Sequence, residues 1–136
     1  MEYAEEKRFI QSFIKKNRRE RLLHELTAPK KRAAGITRFC HTAEDLLDPS
    51  KIRMKGGDLE RRPEFREFVR THDEVCRVFS DDLWLDGYLP LGQAVAEAAF
   101  CAGAVLILGD GFAVVFTEAV QGGRDRYLLC EKELEI

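Results

Sequence analysis

Three short apolar runs late in the chain constrain the fold more than any other feature: residues 104–108 (AVLIL), 112–117 (FAVVFT) and 126–131 (RYLLCE). Each is short, rich in β-branched or aromatic side chains, and bounded by turn residues, which is the signature of a strand. Gly109-Asp110-Gly111 is a tight connection between the first two, and residues 121–125 (QGGRD) a looser one between the second and third. The first run has no polar residue on either of its alternating faces. A strand of that kind belongs at the centre of a sheet with cover on both sides.

The residues before these runs extend the pattern. Residues 74–79 (EVCRVF) read as a further strand. Asp86-Gly87, set between Trp84-Leu85 and Tyr88-Leu89, carries the signal of a two-residue hairpin turn. Leu91, Val95, Ala98 and Ala102 recur at helical spacing, with Pro90 suited to open that helix and Gly103 to close it. The second half is thus expected to run β-β-α-β-β-β. This order resembles that of the small antiparallel modules of the profilin, roadblock and PAS-like groups, a likeness of element order alone.

The N-terminal third reads as helical. Phe9, Ile10, Phe13 and Ile14 form one apolar cluster and Leu22, Leu23 and Leu26 another, pointing in different directions on a helical wheel. A break near Lys16-Asn17 accounts for both. Ala33, Ile36, Cys40, Ala43 and Leu47 then form one stripe at helical spacing, with Thr27 as the expected N-cap, Pro29 in the first turn and Asp48-Pro49 as the stop. A shorter helix starts near Pro63, after a short strand at residues 52–54. The whole is expected to be one α+β domain over residues 1–136: a helical segment (1–48) forming an N-terminal layer, packed on a mostly antiparallel sheet of about five strands from residues 49–136.

Composition excludes several classes. Residues 1–10 lack the apolar core of a secretion signal, and the longest apolar stretch, residues 98–108, is far too short to span a bilayer. A cytoplasmic protein without membrane partners is the expectation. The four cysteines, Cys40, Cys76, Cys101 and Cys130, form no C-x-x-C pair and sit among apolar neighbours, as buried reduced thiols do. No ligand spacing for a metal and no cofactor loop is present, so no metal or cofactor is assigned. Cys40, His41 and Asp45 contain the parts of a cysteine hydrolase, but adjacent helical residues diverge by about 100° and cannot converge on one substrate atom. No catalytic residue is assigned.

Charge is unevenly distributed. Residues 1–38 carry 11 basic and 5 acidic side chains, and residues 39–136 carry 11 basic and 19 acidic ones. Two patches result. The first is basic, and its candidate anion-binding residues are Arg18, Arg19, Arg21, Lys30, Lys31 and Arg32; the last three fall in an expected first helical turn, where cations oppose the helix dipole. The second is residues 80–90 (SDDLWLDGYLP), where Asp81, Asp82 and Asp86 interleave with Trp84 and Tyr88. Period-2 alternation puts Trp84 outward with its acids, as an interface anchor, the alternative being a hairpin whose Trp84 packs into the core; Phe100 joins the candidates by sharing a polar helix face with Gln93 and Glu97.

The first functional expectation is a non-enzymatic interaction or regulatory module, immunity- or inhibitor-like, presenting this acidic-aromatic hairpin to a basic protein partner. The alternative is a nucleic-acid-associated protein using the basic helices, with weak binding. An enzyme of unknown class ranks third.

Overall fold

The computed structural model describes residues 3–80, 86–101, 103–117 and 125–132. Helix α1 (Ala4–Phe13) has Glu5 and Glu6 in its first turn, where carboxylates complement the dipole, and buries Phe9, Ile10 and Phe13. It ends at Ile14, whose extended backbone forms an isolated antiparallel bridge with Leu47. Arg19 Nε then donates to Ile14 O at 2.9 Å, and α2 (Arg19–Thr27) follows in a new direction. The expected break is therefore present.

Helix α3 (Arg32–His41) begins later than Thr27. Thr27 instead closes α2, its hydroxyl donating to Leu23 O at 2.6 Å, and Ala28, which precedes Pro29, is extended. A residue before proline is driven out of the helical region, so the helix cannot run through this point. The stripe is also divided, with a separate turn of helix α4 (Ala43–Leu46) after Thr42. Asp48 accepts from Ser50 N–H and caps the turn that Pro49 opens.

The second half contributes β1 (Ile52–Lys55), α5 (Pro63–Thr71), β2 (Val75–Ser80), β3 (Gly87–Pro90), α6 (Leu91–Phe100), β4 (Val105–Leu108), β5 (Phe112–Phe116) and β6 (Arg126–Cys130). One sheet holds all six strands in the order β1-β6-β5-β4-β2-β3, and every neighbouring pair is antiparallel. The α+β class and the β-β-α-β-β-β order hold. The sixth strand is β1, which joins the far edge beside β6.

The sheet has two covered faces. Phe79, Leu106, Leu108, Ala113, Val115, Tyr127 and Leu129 meet the apolar sides of α1, α2 and α3. Val78, Val105, Ile107, Val114, Phe116 and Leu128 meet α5 and α6 on the other face. Every residue of β4 is buried, as a strand apolar on both faces requires.

Asp86-Gly87 is not a two-residue hairpin turn. Tyr88 and Leu89 pair with Arg77 and Cys76, so the hairpin joins β2 to β3 across residues 81–86. The longer β2 supplies four cross-strand pairs, whereas Trp84-Leu85 would supply two, and ladder energy favours the longer register.

Candidate functional site

Two hollows adjoin along α1, where it crosses the β2–β3 corner of the sheet. They share Glu5, Arg77 and Tyr88. The first has a volume of about 230 Å³ and an apolar floor of Phe9, Phe13 and Leu108. The second, more open, lies beneath Tyr3 to Glu6 and reaches Asp86 and Gly87. Together they form a groove lined by six acids, Glu5, Glu6, Glu74, Asp86, Asp110 and Glu131, against two arginines, Arg8 and Arg77.

Much of this charge is organised. Arg8 pairs with Asp110 at 2.8 Å and with Glu131 at 3.3 Å. Glu131 also accepts from the Ser12 hydroxyl at 2.7 Å, and that bond, followed by Arg8, holds its carboxyl below the usual range. Glu74 accepts the Asp110 N–H and so fixes the β4–β5 turn against the start of β2. Tyr88 donates its phenol to Glu5 at 2.9 Å, which raises the phenol above its ordinary value.

Beneath the second hollow lies a buried ionic chain. Arg32 donates to Glu6 Oε2 at 2.8 Å and to Leu26 O at 2.6 Å, and its guanidinium stacks 4.1 Å from the ring centres of both Tyr3 and Phe79. Glu6 is 1% exposed. Its Oε1 has no hydrogen-bond donor, the nearest cation being Arg77 Nε at 3.8 Å. Arg77 in turn pairs with Asp86 at 3.3 Å. Val75 at 65% and Tyr88 at 59% exposure stand on the sheet face above the groove, where α1 ends its cover.

The residues selected from sequence divide accordingly. Asp81, Asp82 and Trp84 lie outside the described residues. Asp86 stays exposed while accepting Ser80 N–H and pairing with Arg77. Tyr88 is exposed and on the groove. Phe100 is 92% exposed, but α6 packs on the opposite face of the sheet, so the two aromatics do not share one surface.

The basic patch is partly consumed by the fold. Arg32 serves Glu6, Arg19 serves Ile14 O, and Arg21 pairs with Glu25 at 3.1 Å. Arg18, Lys30 and Lys31 remain exposed, as does Arg21 despite its pair with Glu25. Lys31 is the N-cap of α3 and Lys30 precedes it, just outside the expected first turn, so with Arg32 at the first helical position the three cations still gather at the positive end of the dipole.

Cys40 lies in the core and directs its thiol to Phe116 O, while His41 and Asp45 face outward. Among the described residues no group of three or more His, Cys, Asp or Glu side chains is placed to hold a metal, and no helix is long and apolar enough to cross a membrane. No family model matches this chain, and no curated protein or solved structure matches it.

Proposed function

We propose that this chain is a non-enzymatic protein-interaction module that receives a basic protein partner in the groove between α1 and the β2–β3 corner. The supporting observation is the lining of that groove, six acids against two arginines around an apolar floor. Apolar contact area with a charged rim is the anatomy of a protein interface. An excess of one sign steers partners of the other and sets their association rate. The reading keeps the class of partner expected from sequence but moves the surface from the hairpin tip to the groove.

The test compares co-purification from source cells for three forms of the chain. Val75→Arg with Asp110→Lys reverses the groove at two exposed positions. Arg18→Glu with Lys30→Glu and Lys31→Glu reverses the basic surface. The proposal expects one basic protein retained by the wild type and by the second variant, and lost from the first. Loss from the second variant alone would transfer the interface to α2 and α3 and favour nucleic-acid or acidic partners.

A further inference from the structure

We infer that the groove takes its partner as an extended segment, which adds alongside β3 at Tyr88 and sends a lysine or arginine side chain to Glu6. This rests on the protein-binding reading above and specifies what that partner must present.

The backbone of β3 supplies the first part of the argument. Leu91 N–H donates to Glu74 O, and the register pairs Val78 with Gly87, Arg77 with Tyr88, Cys76 with Leu89 and Val75 with Pro90. In an antiparallel ladder the hydrogen-bonded pairs alternate. The backbone groups of Gly87, Leu89 and Leu91 therefore turn toward β2, and those of Tyr88 and Pro90 turn away. Proline has no N–H to give. Tyr88 is thus the one β3 residue offering an outward donor and acceptor together, on a strand that ends the sheet. An added strand has a single anchoring point, and its placement along β3 is set by that point.

Glu6 supplies the second part. A carboxylate has about four acceptor positions, and the Glu6 pair of oxygens, 1% exposed, receives a donor at Oε2 and none at Oε1. An acceptor withdrawn from water and left without a donor is costly. Glu6 lines the open hollow, and its buried Oε1, with Arg77 Nε no nearer than 3.8 Å, is the oxygen that an ammonium or guanidinium entering there would satisfy once the lining side chains move apart. The excess of acids along the lining favours a cation over a neutral donor.

Side-chain alternation joins the two. On the face toward α1, Tyr88 and Arg77 lie nearer Asp86 and Glu6, while Pro90 and Val75 lie one pleat further on. Side chains two residues apart on an added strand share a face. One cation toward Glu6 and one apolar side chain beside Pro90, the cross-strand partner of exposed Val75, therefore define the segment as basic, any residue, apolar.

The probe is a blocked pentapeptide, Lys-Thr-Val-Thr-Lys, which carries that spacing in either chain direction, titrated into the ¹⁵N-labelled protein. Amide shifts are expected at Tyr88 and residues 4–6. The Glu-Thr-Val-Thr-Glu peptide should leave them unmoved, and Glu6→Gln should weaken the lysine peptide about tenfold. Should Glu6→Gln disturb folding, Val75→Arg, at an exposed position, must produce a comparable loss. Equal shifts with both peptides, or shifts that spare Tyr88 and residues 4–6, overturn the inference. If that happens while the groove variant still loses its partner in cells, the protein-binding reading stands and this mode of binding falls.

Discussion

Removing the Arg32 guanidinium strands the Glu6 carboxylate. Arg32 is 14% exposed at its side chain and supplies the close ion pair to an acid that is almost wholly buried. Breaking one partner of such a pair leaves an uncompensated charge, which costs about 3–5 kcal/mol. Arg32→Ala is expected to lose stability on that scale in urea denaturation, and Arg32→Met with Glu6→Gln to recover most of it; equal losses in both would contradict the pairing. The thiols give a second residue-level prediction. All four cysteines are buried and no disulfide joins them, and burial pushes Cys76 and Cys130 up to about 11 from 9.0. The unfolded chain therefore releases these protons first. Their contribution to stability is complete below pH 9 and is lost as pH rises toward 11. Replacing both by alanine should flatten the decline in stability across that window, and an unchanged slope would show that neither thiol is shielded. Both thiols were readable from sequence as buried because each sits within an apolar run. The role of Arg32 was not, since its neighbours Lys30 and Lys31 are solvent-facing and Glu6 is 26 residues away.

Among the elements, α2 and α3 meet at Gly35. A Cβ built there would lie 3.1 Å from Glu25 Cβ and 3.2 Å from Leu26 Cδ2, so the missing side chain lets the two helices close together. Gly35→Leu is expected to lose about 1–3 kcal/mol by overpacking. For Gly35→Ala, the gain in helix propensity of about 1 kcal/mol offsets the tighter contact. Thermal melts of the two variants separate these outcomes, and a leucine tolerated as well as alanine would show that the helices are not in close contact. The three late strands were legible because a strand buried on both faces must be apolar throughout. Element starts were less so. Thr27 and Pro29 satisfy the rules for opening a helix, yet Ala28 between them is forced to extend, and only the closed α2 shows which rule prevails. Asp86-Gly87 misled for a different reason: a turn signal specifies local backbone, whereas the register was decided by the longer partner available in β2.

Across the whole molecule, the groove was illegible in the sequence because its six acids sit at positions 5, 6, 74, 86, 110 and 131. Only the sheet order brings them together, by laying α1 across the ends of strands that follow it by many residues. The same order joins β1 to β6 over more than 70 residues of intervening chain. Closing such long-range pairs slows folding, so refolding is expected on the millisecond-to-second scale in stopped-flow fluorescence; a microsecond phase carrying the full amplitude would contradict the long-range pairing. The central claim is that the α1 groove is the binding surface. Hydrogen–deuterium exchange of the chain, alone and with the partner retained in the co-purification, tests it most directly. The account predicts new protection in residues 4–13 and 87–90, with residues 19–41 and 91–100 unchanged. Protection confined to either of those last two segments, with the groove unaltered, would contradict it.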